Sequence, residues 1–340
     1  MTRLAEPWQL GPLSVPNRVV LAPLAGIGNW FVRLQAKRFG AGMAVSEMIS
    51  SHAIHYRNRK TCSEMLRIDP RERDGGPVSM QLFGEDPQIM RAAAEQVARA
   101  GADAIDINMG CPVPKVCKTG AGAALLSDPE RAVALARAAV QGARASGRDV
   151  PVTAKLRSGL RTGDAAGLEL AQQLVGEAGV AAIAFHPRPA TAHHKGEPDL
   201  ELAARLVAAL PAPVILTGGL SSAGRVREAF ARTGAAAVML ARGALGNPWL
   251  FAELLHGREQ RPTPHEVLAE LEWTMERAAE HLGEERAARY MRKFYPWYIP
   301  RLDLAPVGAR ELMATLKVAD TLAQAGRLLR SAQAPAALAA

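Results

Sequence analysis

Cysteine is scarce in this chain. Cys62, Cys111 and Cys117, three among 340 residues, are too few and too odd in number for a disulfide framework. The step of six from Cys111 to Cys117 is not a usual zinc spacing, so no metal site is expected. Long apolar runs are missing as well: nothing approaches the roughly 20 residues that span a bilayer. The opening Met1-Thr2-Arg3-Leu4-Ala5-Glu6 lacks a signal-peptide pattern, which makes the cytoplasm the expected compartment. No internal repeat stands out beyond a β/α unit. Acidic residues are outnumbered, 33 Asp and Glu against 41 Lys and Arg, for a net charge of +8. A basic chain suits a polyanionic partner, but a genome favouring Arg and Ala gives the same balance.

What is present is a large apolar fraction, 49%, and a regular alternation. Short apolar or β-branched runs occur at Val19–Ala22, Ala44–Ser46, Val78–Gln81, Ala104–Ile107, Val152–Lys155, Ala182–Phe185, Val214–Leu216 and Ala237–Leu240, with helical patterns between them. Such alternation means parallel strands joined by crossover helices, and eight units fit a closed (β/α)8 barrel. Asp86-Pro87 and Asp128-Pro129 predict helix starts, as does Ser221-Ser222. Gly101, Gly179 and Gly234 predict helix ends. The alternation stops near Leu255. A polar, proline-bearing linker runs from His256 to Pro264, followed by a purely helical pattern to about Leu329. The expected organisation is a catalytic α/β barrel over 1–256, an all-helical domain over 257–334 and a frayed tail over 335–340.

In this fold the functional end is the C-terminal mouth of the barrel. The strand ends carry Glu47, Gln81, Asn108, Lys155-Leu156-Arg157, His186-Pro187-Arg188, Thr217-Gly218-Gly219 and Ala241-Arg242-Gly243. Gly218 and Gly219 let backbone approach an anion, and the turn at Arg242-Gly243 opens toward a helix near Asn247, a phosphate-binding arrangement. Gln81 and Asn108 offer amide contacts and Lys155 a charge to a flat ligand such as a flavin. Equally, Lys155 could pair with Asp106 and Gln81 could be a satisfied polar group inside the barrel. Cys111, in a long glycine-rich loop, is a candidate proton donor, a nucleophile or an inert buried thiol.

Ala22-Pro23-Leu24-Ala25-Gly26, Ser46-Glu47-Met48, Gln81-Leu82-Phe83-Gly84, Asn108-Met109-Gly110-Cys111-Pro112, Lys115-Val116 with Gly120-Ala121-Gly122-Ala123, Lys155-Leu156-Arg157 and Ala241-Arg242-Gly243 together resemble the tRNA-dihydrouridine synthases, over about residues 7 to 330. Arg292-Lys293 with Trp297-Tyr298 is similar to the bacterial branch nearest the B-type enzymes. The resemblance implies FMN as cofactor and NADPH as reductant. It implies flavin contacts at Pro23, Leu24, Ala25, Gln81, Lys155, His186, Thr217, Gly218, Gly219, Ala241 and Arg242. It further implies hydride transfer to uracil C6, a proton from Cys111 to C5, and a flipped base read by Asn108 with Arg188 nearby. Relatives often have Asn and Asp where Thr217 and Gly219 stand, and Gly and Thr where Pro187 and Pro189 stand. Asn29 and Val32 also depart from the first-loop pattern.

In the helical region Arg286, Arg289, Arg292 and Lys293 gather with Tyr295, Trp297 and Tyr298. Arg286, Arg289 and Lys293 share one helical face by their three- and four-residue spacing. This cluster is the expected tRNA contact, with Trp297 in the core, and Arg57, Arg59 and Lys60 form a second basic loop near the mouth. A monomer is expected, acting on a D-loop uridine, position 17 by resemblance. The competing expectations are an FMN barrel acting on a free pyrimidine, like dihydroorotate dehydrogenase, and a non-catalytic RNA-binding barrel.

Overall fold

A computed structural model describes residues 3–259 and 261–333; the tail expected over 335–340 lies outside them. Eight parallel strands form the barrel: β1 (Val19–Leu21), β2 (Met43–Val45), β3 (Val78–Phe83), β4 (Ala104–Met109), β5 (Val152–Arg157), β6 (Ala182–His186), β7 (Val214–Thr217) and β8 (Ala237–Leu240). Each pairs in parallel with the next, and β8 pairs with β1, so the sheet closes. Every run anticipated from the sequence is a strand. A two-residue strand, Ile49–Ser50, also pairs with the end of β3.

The helices between them are α1 (Trp30–Arg38), α2 (Ser51–His55), α3 (Pro87–Arg99), α4 (Pro129–Ala145), α5 (Ala166–Gly176), α6 (Leu200–Ala209) and α7 (Ala223–Thr233). Local chemistry sets their ends. The Asp86 and Asp128 carboxylates and the Ser222 hydroxyl accept from the first-turn N–H groups of their helices, meeting donors that otherwise lack partners. Gly234 ends α7 in the left-handed conformation, open to glycine at little steric cost.

The barrel interior is two-sided. Val20, Ala22, Met43, Val45, Ala182, Ala184, Ile215, Ala237 and Met239 make an apolar cluster, which the hairpin of Trp8–Leu10 and Leu13–Val15 joins with Trp8, Leu10 and Val15. Gly11, at its tip, lies against Pro151 and Ala181, which lead into β5 and β6, so the hairpin plugs the N-terminal end. Across β3, β4 and β5 the interior is polar instead: Gln81, Asp106 and Thr153 stand in one register row. A further buried ion pair lies outside the barrel wall, where Arg33 of α1 holds Glu72 through two hydrogen bonds of 2.7 and 2.9 Å.

The described residues fall into two compact units, 3–243 with 254–257, and 244–253 with 258–259 and 261–333. The sequence boundary at 256/257 thus assigns 244–253 differently. Within the second unit Gly246 (φ +62) sits so close to Trp297 that a Cβ would fall 2.3 Å from its carbonyl oxygen. That unit is helical: α8 (Trp249–His256) begins in it, and α9 (Pro264–Leu282), α10 (Glu284–Met291), α11 (Tyr295–Tyr298), α12 (Pro306–Val318) and α13 (Leu322–Gln333) follow. Thr263 and Glu266 form a capping box at the start of α9. Among the described residues no helix is long and apolar enough to cross a membrane.

Candidate active site at the barrel mouth

Backbone N–H groups can only donate, and that fixes a relay across the mouth. The Gly110 and Cys111 N–H groups point to one atom of Asn108, 3.2 and 2.9 Å away, which must therefore be Oδ1. Its Nδ2 then donates to Gln81 Oε1 at 2.9 Å. Gln81 Nε2 in turn donates to Asp106 Oδ2 at 2.6 Å, while Thr153 Oγ1 lies 2.5 Å from Asp106 Oδ1. The Gln81 backbone N–H donates to Ser46 Oγ. Burial pushes the Asp106 carboxyl up, against the pull of Gln81, Thr153 and Lys155. The row Gln81–Asp106–Thr153 is thus a scaffold that ends on the cysteine loop. Gln81 is a satisfied interior amide, and both polar atoms of Asn108 are engaged within the protein, its Nδ2 also approaching Met48 Sδ.

The loop carrying Cys111 is folded down. It forms one helical turn over Pro114–Cys117 and a 3-10 turn over Gly122–Ser127 that buries Leu125 and Leu126. The Cys111 carbonyl accepts from the Ala123 N–H at 3.0 Å and from Cys117 Sγ at 3.2 Å. Gly122 (φ +63) permits this, since a Cβ there would fall 2.7 Å from the Cys111 oxygen. The Cys111 thiol is half-buried and unpaired with other cysteines. Burial raises its pKa above the ordinary thiol value, opposed by the Val113 N–H, Arg157 and Lys155.

Next to it the mouth is cationic. Burial, with Arg157 adding to it, lowers Lys155 to about 8. The ammonium makes no ion pair with Asp106, whose oxygens are taken, and has no hydrogen-bond partner among the described residues. Arg157 donates to the Gly110 and Pro189 carbonyls, tying the loops after β4 and β6 together. His186 is buried, and burial with Lys155, Arg157 and Arg188 nearby drives its pKa far down, so the ring is neutral. Arg188 NH1 lies 3.3 Å from His186 Nε2 and its NH2 donates to the Gly196 carbonyl at 2.7 Å. Its buried Nε has no partner.

The ends of β7 and β8 present backbone. Gly218 (φ +103) and Gly219 (φ +73) are consecutive left-handed glycines, and neither N–H has an acceptor among the described residues. A Cβ on Gly218 would fall 2.3 Å from His186 Cδ2. The Thr217 hydroxyl is used on the Met239 carbonyl at 3.0 Å, leaving its main chain for a ligand. Ala241 is half-buried and Arg242 exposed. At the first strand Pro23 is half-buried, Leu24 buried and Ala25 exposed, and the Gly26 N–H donates to Glu47 Oε2 at 2.8 Å. The helix expected near Asn247 starts at Trp249.

Elsewhere the structure rearranges expectations. α10 ends at Met291, so Lys293 lies in the turn beyond it and shares no helical face with Arg286 and Arg289. Lys293 rests on the Tyr290 ring. Arg289 pairs with Glu285 at 2.7 Å, and Arg292 donates to the Ala319 carbonyl. Trp297 is half-exposed, and the core aromatics are Tyr295 and Tyr298, because the short α11 turns those two inward. Sequence reading placed Arg157 at the mouth without a role, and gave none to Ser46 and Thr153, which help to build it. Alternation was the available signal: Asp106 with Asn108, and Thr153 with Lys155 and Arg157, recur at the spacing of two that puts strand residues on one face.

An unpartnered ammonium, a buried guanidinium nitrogen without an acceptor and two free backbone amides fit a ligand that carries an anion. A neutral imidazole and the amide-lined floor fit a flat polar ring. These residues are therefore suited to a flavin phosphate and its ring system, with Asp106 near Lys155 held by Gln81 and Thr153 and Glu197 near Arg188 held by Arg225. Among the described residues no group of three or more His, Cys, Asp or Glu could hold a metal ion.

The profile of the Dihydrouridine synthase family matches residues 20–333. A tRNA-dihydrouridine synthase B from Pseudomonas aeruginosa is 37% identical over 322 residues, covering 93% of both chains. One from Vibrio cholerae is 35% identical over 317 residues, 92% of this chain and 95% of its own. Among solved structures, a 2-naphthoyl-CoA reductase complex superposes with a TM-score of 0.57 at 16% identity, over 75% of this chain and 52% of that one. A morphinone reductase variant in complex with tetrahydroNAD gives 0.53 at 16% identity, over 78% and 94%. At such identities the superpositions establish the barrel fold alone.

Proposed function

The chain belongs to the dihydrouridine synthase family, and on that premise we propose that it reduces a uridine of tRNA to 5,6-dihydrouridine, with FMN as cofactor and NADPH as reductant. The observation that carries this reading is the Asn108-held loop, which fixes a half-buried Cys111 beside a mouth rich in unpaired positive charge.

Lys155 and the Arg188 Nε supply charge, Gly218, Gly219, Ala241 and Arg242 supply main chain and a cation for the phosphate, and Pro23, Leu24, Ala25, Thr217 and His186 line the remaining contact. Gln81 contributes through the floor it builds with Asp106. A flavin bound there supplies the hydride for uracil C6. Cys111 supplies the proton for C5, and its raised pKa keeps it a thiol at neutral pH, the protonated form a general acid needs. Asn108 positions that sulfur by holding its backbone. A uracil must leave its stack to reach the thiol. The helical domain over 257–334, through Arg286, Arg289, Arg292 and Lys293, contributes to binding the tRNA, whose D-loop (position 17) holds the target. The enzyme works as a cytoplasmic monomer.

The test is direct. Purified protein should be yellow and release FMN on denaturation. With NADPH it should convert one D-loop uridine in tRNA from a strain deleted for this gene. Protein that takes up no flavin, or that reduces free uracil or orotate but leaves tRNA unchanged, would overturn the reading.

A further inference from the structure

Many surface cations of the first unit are neutralised where they stand. Arg73 pairs with Asp103, Arg99 with Glu95, Arg131 with Asp128, Arg137 with Glu177, Arg225 with Glu197 and Arg232 with Glu201. Single exposed cations such as Arg91, Arg144, Arg161, Lys195 and Arg205 lack such a partner, but two segments carry several together. Arg57, Arg59 and Lys60, after α2, and Lys115 and Lys118, in the cysteine loop, are all exposed. None of these five side chains has an ion-pair or hydrogen-bond partner among the described residues.

The same two segments carry the first unit's exposed large apolar side chains among the described residues, Tyr56 at 73% and Val113 at 45%. Arg57 takes a left-handed φ of +51, which ends α2 and leaves Tyr56 standing beyond it. The edge of the Tyr56 ring system is braced by His55 at 4.9 Å. The segments are neighbours. The His52 ring lies 6.4 Å from Tyr56 and its Nε2 3.6 Å from Glu85 Oε1. Glu85, just past β3, is in turn beside Gly120 of the cysteine loop.

We propose that Tyr56, Arg57, Arg59 and Lys60, together with Lys115 and Lys118, form a rim that grips single-stranded RNA next to the target nucleotide, Tyr56 stacking on an unpaired base and the cations meeting phosphates. The proposal rests on the tRNA reading above, and it moves the main phosphate grip from the helical cluster, where Arg289 is already paired, to the barrel mouth. An exposed ring flanked by unpaired cations is the combination that binds unpaired nucleotides: the ring supplies a π-face to any base, the cations release counterions from the backbone. Glu85, 3.6 Å from His52 Nε2, is the one carboxylate between the two segments in this chain of contacts.

The experiment measures tRNA affinity of the flavin-loaded protein as a function of salt. Tyr56→Ala should weaken binding roughly ten-fold, the worth of one stacked base, with the salt slope kept, and Tyr56→Phe should restore it. Replacing Arg57, Arg59 and Lys60 together by Ala should lower the slope of log K against log salt by about 2, as loss of three single-strand phosphate contacts requires. All these side chains are exposed, so unfolding curves should match wild type. If wild type binds tRNA and these variants match it in affinity and slope, the rim is wrong while the functional reading stands. Wild type that binds no tRNA fails the functional reading itself and takes the rim with it. Poly-glutamate competing as well as tRNA at equal charge would reassign the surface to an acidic polypeptide.

Discussion

Asn108 Oδ1 receives the Cys111 backbone N–H at 2.9 Å, so the strand that carries the asparagine also sets where the thiol stands. The loop is long, but its reactive residue is held by the last turn of rigid structure before it. Everything upstream in the relay, from Gln81 to Asp106 and Thr153, serves to keep that oxygen pointed at the loop.

Replacing the thiol separates chemistry from binding. Cys111→Ala should retain flavin, seen in the absorption spectrum, and lose most turnover, at least about 100-fold, the usual worth of a general acid. For wild type, the rate should fall only at pH above the ordinary thiol range, because burial raises the Cys111 pKa and the acid form persists until that value is passed. An unchanged rate in Cys111→Ala removes the proton-donor role.

Removing the tether should act through the loop. Asn108→Ala leaves Gln81 Oε1 and two backbone N–H groups without partners, a cost of about 1–3 kcal/mol for each buried group left unpaired. Urea unfolding should show the loss. Alkylation of Cys111 should become faster, since the loop is released, while exposed Cys62 reacts as before. A variant with wild-type stability and Cys111 reactivity would deny the tether.

Lys155 makes stability depend on pH. Its folded-state value is lowered from 10.5 to about 8, so between these limits the unfolded chain holds the extra proton and stability rises with pH. The penalty is full below about 8. Lys37 is lowered to about 8 as well and acts with the same sign. Lys155→Met should therefore flatten part of the rise in flavin-free protein, leaving the Lys37 share. Bound flavin should flatten it too, because an anion beside the ammonium favours its charged form. Unfolding free energies followed from neutral pH to about 10.5 test both statements.

Gly218 reports on the ligand cradle. Gly218→Ala puts a methyl 2.3 Å from His186 Cδ2 at φ +103, in a region side chains rarely adopt. Flavin affinity should drop at least ten-fold by equilibrium dialysis, while Gly147→Ala, also left-handed but with open space around it, should leave affinity unchanged. Equal affinities in both variants would remove the β7 end from the cradle.

The barrel was legible because its strands are short apolar runs closed off by capping carboxylates and glycines, signals that local physics enforces. Other elements were not. Arg33 and Lys37 of α1 are buried because Glu72, distant in sequence, folds back over them. Trp297 invites a core assignment by size, but α11 is a single turn and its neighbours Tyr295 and Tyr298 take the interior. The basic cluster from Arg286 to Lys293 reads as one face only if a helix continues through it, and α10 stops first.

By itself the sequence determined the β/α alternation, the helical second part and the identity of the residues at the strand ends, because periodicity, capping and turn chemistry act within a few residues. Only tertiary structure decided which of those residues are free to act. Barrel closure aligned Gln81, Asp106 and Thr153 into one row and used up their polar atoms, while it left Lys155 and the Arg188 Nε without partners. Partnering across strands depends on register, and register is set by the whole closed sheet rather than by any segment of it.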